Sequence, residues 1–399
     1  MPIEHAAKAR DQDEHERLAT RFRPLFQRIA EGEAERERTG TVPHEQLGWL
    51  VDAGFAGFRI PGDLGGEDAR LSTAFRLVAE LAEADVNLAH IWRNHLSFVE
   101  DRRYDRADPR TDEWLRRLGS GEIVGGGWSE PDTDVGSVRT TLLPDAEGVL
   151  RLNGTKYYAT GSVYARWTTV LAADEAGHRV VALVDMTSDG VAVGDDWDGF
   201  GQRLTGSGSV AYVDVAVPAE RVFSYAKRYV YQSQFYQSAL NALLVGIGNA
   251  ILRDGIAALR ARRRSHGNAL VPEPVDDPEL QEVIGRLAAN AFAAEATLLR
   301  SLDLVDVAVA RAEAGDTAQD RASLLAVGAA QHAISTLVLE SATLVFDSLG
   351  SSGVSERHAL DRHWRNARTI ASHNPRVYRT RLVGGWALED AARGDTEDA

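Results

Sequence analysis

Apolar side chains recur every three or four residues along roughly the first 120 positions of the chain. This spacing, in stretches such as HERLATRFRPLFQRIAEGEAERE and LSTAFRLVAELAEAD, is typical of helices that bury one face. Ser72 stands at the start of the second stretch, so we expect it to be the N-cap of that helix. The intervening FAGFRIPGDLGGED contains one proline and four glycines, which predicts a loop.

The pattern changes between about residues 125 and 225. Short runs rich in Val, Thr and Tyr follow one another there, separated by Gly and Asp: GVLRLNGTKYYATG, WTTVLAA, RVVALVDM, GVAVGDDW and SVAYVDVAVP. Such runs predict a mostly antiparallel β domain. Asn153 and Gly154 form an Asn-Gly pair inside the first run, and this pair predicts a hairpin turn.

Long Ala- and Leu-rich helical patterns occupy the rest of the chain, and their lengths suit the packed helices of a bundle. The sequence therefore predicts a mostly α protein with a central β domain. Its predicted parts are an N-terminal helical domain (1–124), a β domain (125–228) and a C-terminal helical bundle (229–399).

Composition narrows the classes of function. The chain has 399 residues and no cysteine, which removes disulfides, thiolate catalysis and Cys-based metal sites. A formal charge of −15 argues against a nucleic-acid surface, because neutralising phosphates needs a basic footprint. The charged N-terminus predicts no signal peptide. No window approaches the ~18 apolar residues of a membrane span, so we expect no membrane contact. The absence of cysteine fits a cytoplasmic location best. No His, Asp or Glu constellation with metal-ligand spacing predicts a metal site.

Four motifs, in order and at sensible spacing, resemble segments of flavoproteins with the acyl-CoA dehydrogenase fold. They are IPGDLGG, WSEPDTDVGS, LNGTKYYATG and FGQRLTGSGSVAYVDVAVP. The resemblance extends over nearly the whole chain. It implies an N-terminal helical domain, a β-barrel-like middle domain and a C-terminal four-helix bundle, assembled as a homotetramer.

Within that superfamily, DDWDGFGQRLTGSGS, DRHWRNARTIASHNP and NLAHIWRNHLSFVE look most like the dibenzothiophene monooxygenases, their sulfur-acquisition relatives and an indole-oxygenating branch. This resemblance implies a two-component monooxygenase that uses reduced flavin (FMNH2 or FADH2) and O2 through a flavin C4a-(hydro)peroxide. A separate flavin reductase would supply the reduced flavin.

The alternative chemistry, dehydrogenation of an acyl thioester, needs a carboxylate base over the substrate α-carbon. Dehydrogenases of this fold place a Glu at one of two positions. In this chain the first is occupied by Ser372 and His373, and the second by Tyr236. The base is missing from both, which favours oxygenation. The alternatives that stay open are an acyl-CoA dehydrogenase with a relocated base and a non-catalytic helical scaffold.

The resemblance implies three catalytic residues: His95 from the early helices, Thr160 near flavin N5, and His373 from the C-terminal helices. A histidine is suited to manage a peroxide proton near neutral pH. Each also has a structural alternative, since a lone His on a helix is usually a packing residue and Thr is common at strand ends. His90, His332, His358 and His363 lack comparable support, and we interpret them as structural.

Flavin contacts are implied residue by residue. Trp128 and Ser129 would meet the pyrimidine edge of the ring, Tyr158 and Thr160 would lie against it, and Trp197 would form a wall of the pocket or belong to the core. Arg263 would reach the flavin phosphate across a subunit boundary, although Arg262 or Arg264 could take that role. Asn374, next to His373, completes the predicted cofactor-binding residues: Trp128, Ser129, Tyr158, Thr160, Trp197, Arg263 and Asn374.

Two further features concern the cofactor and the substrate. Where dehydrogenases carry Gln-x-x-Gly-Gly-x-Gly for the adenine half of FAD, this chain reads DSLGSSG, which leaves FMN and transiently bound FADH2 both open. A small hydrophobic S- or N-containing or indole-like substrate is predicted from aromatic candidates for the pocket: Trp92, Phe98, Trp128, Tyr158 and Tyr236.

Overall fold

The computed structural model describes residues 2–131 and 137–397. The N-terminal region is helical, as the apolar spacing predicts. Its helices are α1 (Pro2–Ala30), α2 (Glu33–Thr39), α3 (His44–Asp52), α4 (Leu71–Ala84), α5 (Val86–Tyr104) and α6 (Thr111–Gly119). The Pro- and Gly-rich segment between α3 and α4 is a loop containing two short 3-10 turns.

Ser72 is not the N-cap of α4, so that prediction is wrong. The helix begins at Leu71, with Arg70 in the cap position two residues before Ser72, and Ser72 lies in its first turn. The backbone N–H of Ser72 donates instead to Asp306 Oδ1, 3.0 Å away. A carboxylate from a distant helix thus satisfies a helix N-terminus, a role that local sequence cannot reveal.

The strands lie between residues 124 and 224 and form one sheet in the order β6-β7-β3-β2-β4-β5-β8, with β1 pairing on β4. They are β1 (Val124–Gly127), β2 (Thr141–Pro144), β3 (Leu150–Lys156), β4 (Trp167–Ala173), β5 (Arg179–Asp185), β6 (Val191–Val193), β7 (Val210–Ala216) and β8 (Val222–Ser224). Pairing is antiparallel except where β4 runs parallel to β1 and β2, which agrees with a mostly antiparallel domain.

The hairpin predicted at Asn153 and Gly154 is wrong. Both residues lie inside β3, which pairs with β2 on one side and β7 on the other. The register shifts between Leu152 and Gly154, so the glycine marks a bulge rather than a turn. Its φ is +153°, and a Cβ there would meet Thr140 Oγ1 at 2.4 Å, so packing as well as backbone geometry requires glycine.

The C-terminal region is again helical. Its helices are α7 (Gln232–Ala261), α8 (Pro278–Glu313), α9 (Arg321–Leu344), α10 (Asp361–His373) and α11 (Arg376–Glu397). Helix α9 packs against α7, α8, α10 and α11, and α7 also packs on α4 and α5. One apolar core therefore continues from the N-terminal helices into the C-terminal helices. Helix α5 also contacts β1 and so touches all three regions.

Two of these helical segments, Gln232–Ala261 and Arg321–Ser348, are long and apolar enough to cross a membrane by length and composition alone. The expectation that no window reaches this level is therefore wrong. The most apolar windows are 61% and 44% buried within the protein. Since core helices of this kind pass the same test, the finding is only weak evidence for a membrane span.

Candidate active site

A cavity of about 660 Å3 opens where α5, the β domain, α7 and α10 meet. This volume lies within the ~300–1,000 Å3 range of cofactor and ligand pockets. One wall is aromatic, and its side chains are Trp128, Tyr158, Trp197, Phe200 and Tyr236. The polar lining comes from both helical regions and from the start of the β domain: Arg93, Asn94, Ser129, Thr369, Ser372, His373 and Asn374. No Asp or Glu occurs among the described residues that line it.

Tyr158 and Trp197 form the exposed edge of the aromatic wall. Their rings meet edge to face with centroids 6.0 Å apart. Tyr158 is 55% exposed and has a φ of +63°, a left-handed conformation that is rare for a residue with a side chain. Backbone strain of this kind persists where the surroundings fix it, often at functional sites. The Trp197 indole N–H donates to the carbonyl of Gly201, which fixes the ring.

The inner aromatic residues are held from behind by a buried ion pair. Arg228 Nε lies 2.9 Å from both carboxylate oxygens of Asp101. The guanidinium also lies over the Trp128 ring, 4.4 Å from its centroid, and donates to the Tyr236 hydroxyl at 3.1 Å. Ser97 Oγ completes the cluster, 2.6 Å from the same hydroxyl. The ion pair therefore positions two cavity walls at once.

Helix α5 presents His90, Arg93 and Asn94 toward this side, because residues at i, i+3 and i+4 share one helix face. Asn94 Nδ2 donates to the Thr160 carbonyl at 2.8 Å and so joins α5 to the β domain. Gly126, at the base of the cavity, permits this approach, since a Cβ there would meet Asn94 Cγ at 2.8 Å.

His373, the last residue of α10, lines the cavity next to this helix. Its Nε2 lies 2.9 Å from Arg93 Nη1. A guanidinium can only donate, so Nε2 is the acceptor and Nδ1 carries the proton. His373 is exposed at the open cavity, and both the protein packed around its ring and the nearby Arg93 charge lower its pKa below the usual value. The imidazole is therefore neutral at physiological pH.

A chain of amides supports this tautomer of His373. Its Nδ1 faces Asn374 Oδ1 at 3.4 Å, and Asn374 Nδ2 donates to Gln237 Oε1 at 2.9 Å. Gln237 in turn donates to Asn241, 3.0 Å away on the same helix. Each of these groups donates to the next one, from His373 to Asn241. Hydrogen bonds that end on α7 therefore fix the orientation of the His373 ring.

His90, which the sequence interpretation left as structural, lies next to His373 with ring centroids 6.4 Å apart. Its Nδ1 lies 2.7 Å from Gln202 Oε1, and its Nε2 is buried without a hydrogen-bond partner among the described atoms. Burial, with the charge of Arg93, holds the pKa of His90 well below its usual value. The sequence does contain a signal for the position of His90, because on a helical wheel His90 shares one face of α5 with Arg93 and Asn94.

His95 does not line the cavity, and its position gives no support to the predicted catalytic role. At five residues from His90 it faces the opposite side of α5, where it packs edge to face on Trp92. The side chain is fully buried, and burial lowers its pKa to about 4. Trp92 and Phe98 also belong to the apolar cores rather than to the cavity lining.

The remaining predicted residues divide by position. Trp128, Ser129, Tyr158, Trp197 and Asn374 all line the cavity. Thr160 is not among the residues that line it; its side chain is buried, with the hydroxyl 2.8 Å from Ser207 Oγ.

Arg263 lies far from the cavity of its own chain. It follows the end of α7, about 37 Å along the helix axis from Tyr236. Arg263 therefore does not contribute to the cavity of its own chain.

Comparison with known proteins assigns the chain to a family. Models of the acyl-CoA dehydrogenase N-terminal, middle and C-terminal domains match residues 12–122, 126–215 and 238–376 in order. A dibenzothiophene monooxygenase of Mycolicibacterium goodii is 26% identical over 371 residues, covering 89% of both chains. The chain belongs to the acyl-CoA dehydrogenase-fold flavin monooxygenases.

Other relatives of this flavin monooxygenase agree. A probable FMNH2-dependent monooxygenase, SfnC of Pseudomonas putida, is 26% identical over 383 residues, covering 92% of this chain and 94% of the relative. The crystal structure of FMN-bound TdsC from a Paenibacillus species superposes with a TM-score of 0.85 at 25% identity, covering 94% and 98% of the two chains. The predicted fold and enzyme class are thereby confirmed.

The cavity of this monooxygenase fits a flavin ring. Gly126 in the lining carries no side chain, the aromatic residues offer faces for stacking, and Asn94, Ser129 and Asn374 offer neutral donors and acceptors. Among the described residues no group of three or more His, Cys, Asp or Glu side chains is placed to hold a metal ion.

Proposed function

We propose that the protein uses reduced FMN and O2 to oxygenate a small hydrophobic molecule, of the thiophene, sulfide, indole or amine class, in the 660 Å3 cavity. The observation that carries this proposal is the pairing of a neutral His373 with Arg93 in a cavity that is otherwise lined largely by aromatic side chains. The relatives named for dibenzothiophene and FMNH2 support the same chemistry.

The two positions where a dehydrogenase of this fold would carry its base both lie at this cavity. Tyr236 occupies one, and Ser372 with His373 occupies the other. Neither supplies a carboxylate, and the described lining contains none. The site therefore lacks the group that removes an α-proton from an acyl thioester.

Reduced flavin, when bound, supplies the electrons that activate O2. The protein's residues exclude water, orient the aromatic substrate and manage charge. Arg93 carries the one positive charge of the described lining, and it offers that charge to an oxygen anion. When Arg93 turns to such an anion, His373 Nε2 is released to accept a proton or return it. The chain through Asn374 and Gln237 keeps the ring in place during this exchange.

Three further elements of the proposal concern the protein's surroundings. A separate flavin reductase supplies the reduced cofactor, since no dinucleotide-binding motif occurs in the sequence. Arg263 meets a flavin phosphate on a neighbouring subunit, which makes a homotetramer the working form. A cysteine-free chain suits the cytoplasm.

The test mixes the protein with reduced FMN, isotopically heavy dioxygen and a panel of thiophenes, sulfides, indoles and amines. Mass spectrometry is expected to find one heavy oxygen atom in a product. Absence of any incorporation across the panel, together with bleaching of protein-bound oxidised FAD by an acyl-CoA, would instead establish the dehydrogenase.

His373→Ala is expected to lower oxygenation by about 100-fold or more, the range for loss of a group that transfers protons. The matched control is His332→Ala, an exposed histidine on α9, which is expected to leave the rate unchanged. Circular dichroism of both variants checks that the fold is intact. A fully active His373→Ala variant would refute the role given to this imidazole.

A further inference from the structure

A second chain of amides ends at His90 and begins at a buried carboxylate. Glu37 Oε1 accepts from Asn366 Nδ2 at 2.7 Å, and Asn366 Oδ1 accepts from the backbone N–H of Gln202 at 2.6 Å. Gln202 Oε1 then lies 2.7 Å from His90 Nδ1. All four side chains are at least 95% buried.

Some groups in this series of hydrogen bonds can act only as a donor or only as an acceptor, and they determine the direction of every bond in it. A backbone N–H can only donate, so the Asn366 atom that faces it is the oxygen. The amide nitrogen of Asn366 then faces the carboxylate oxygen of Glu37, as a donor should. Two independent constraints thus agree on the orientation of Asn366.

The orientation of Gln202 follows in turn. Its Nε2 faces Asn366 Oδ1 at 3.2 Å, which directs its Oε1 to His90. A carbonyl oxygen can only accept, so His90 Nδ1 must carry a proton. In the neutral ring Nε2 is then a bare acceptor, and this is the nitrogen that has no partner among the described atoms.

The backbone of Gln202 gives separate support for a dedicated role. Its φ is +54°, in the left-handed region that favours glycine, although Gly199 and Gly201 stand close by in the same loop. A non-glycine side chain that is buried and held in this conformation indicates that the side chain itself is needed.

We propose that Gln202, fixed by Asn366 and Glu37, is a positioning residue that holds His90 as the Nδ1–H tautomer and presents Nε2 beside His373 as an acceptor. This inference rests on the proposed function for its consequence in catalysis. The two neighbouring imidazoles then share one tautomer, each fixed by its own amide chain from a different side. Nε2 of His90 remains an acceptor that no described atom engages, buried beside the His373 ring, while Nε2 of His373 is covered by Arg93.

The variant Gln202→Gly tests this directly. Glycine relieves the backbone strain and keeps the N–H that donates to Asn366, while the acceptor of the His90 proton is lost. The matched control is Asp214→Gly, an exposed residue with the same φ of +54° on β7. Histidine labelled with nitrogen-15 in the ring is read by magic-angle-spinning NMR, and a His90→Gln sample identifies the signals of this ring.

In the wild type and in Asp214→Gly, His90 is expected to show a protonated Nδ1 and an unprotonated Nε2. In Gln202→Gly the ring is expected to populate the other tautomer. The turnover number for oxygenation should fall by about 10- to 100-fold, as when the partner behind a functional imidazole is lost. The affinity for FMN should stay within about twofold.

Two results would overturn the inference: a wild-type His90 with its proton on Nε2, or a Gln202→Gly variant with an unchanged tautomer. Because NMR reads the protein without flavin, its outcome does not depend on the proposed reaction. A tautomer change in a protein that oxygenates nothing would refute the proposed function and leave the assignment of Gln202 intact.

Discussion

Replacing Asp101 with Asn tests whether the buried ion pair behind the aromatic wall maintains the cavity. The substitution keeps the shape of the side chain but removes the charge that balances Arg228, and both side chains are almost fully buried. Breaking a buried pair by removing one partner destabilises a protein by about 3–5 kcal/mol. Arg228 retains Gln232 Oε1, Ser97 Oγ and the Tyr236 hydroxyl as neutral partners.

These remaining hydrogen bonds place the expected loss at the lower end, about 3 kcal/mol. For a chain of 399 residues the melting temperature should fall by about 4 °C. A displaced guanidinium also releases the Trp128 ring and the Tyr236 hydroxyl, so FMN should bind about tenfold more weakly, the equivalent of one cation–π contact.

Differential scanning fluorimetry measures the melting temperature, and quenching of flavin fluorescence measures FMN affinity. The control is Glu113→Gln, which removes an acid from an exposed pair with Arg117. A surface pair of this kind contributes about 0–1 kcal/mol, so little change is expected. If Asp101→Asn melted like the control and bound FMN like the wild type, the argument from buried charge would be wrong.

Other substitutions probe separate features. Gly126→Ala places a methyl group against Asn94, and overpacking should destabilise the fold by about 1–3 kcal/mol and weaken FMN binding. Gly285→Ala lies on an open helix surface and should instead raise the free energy of unfolding by about 0.5–1 kcal/mol, as measured by denaturant unfolding. If both alanine variants changed the stability equally, the packing argument would be wrong. Burial raises the pKa of Glu33 from 4.5 to about 7, so its protonated form suits the folded state. Its contribution to stability is complete below pH 4.5 and lost as the pH rises through 7. The melting temperature of Glu33→Gln relative to wild type should therefore rise across this window, and a constant difference would refute the shift.

The spacing of apolar residues predicts most of the helices and strands, but it gives no signal for some of the strands. The long helices and the Val- and Thr-rich strands carry their own patterns, and the structure places them where those patterns predict. Strand β1 reads VGGG, so it has almost no side chains that could alternate. It is a strand because α5 and β4 flank it, and that information is not local.

The candidate site was predictable where a motif keeps a residue at a fixed place in a loop, as for Tyr158 and Trp197. On helix α5 the choice between His90 and His95 depends on helix phase. The phase was available in the sequence, but only the fold shows which face meets the cavity. The amide chains behind His90 and His373 lie beyond sequence reasoning, because Gln202 and Asn366 are 164 residues apart.

The contact between Arg93 and His373 joins residues 280 positions apart in the chain. The residues that line the cavity run from Arg93 to Asn374 and come from all three regions, so the cavity forms only when these regions are folded and docked. A molecule bound there acts as a noncovalent crosslink among the regions. At 100 times its dissociation constant, such a ligand adds about 2.7 kcal/mol to the stability of the whole chain. The supply of cofactor would thus govern how much of this protein survives proteolysis as well as how fast it turns over.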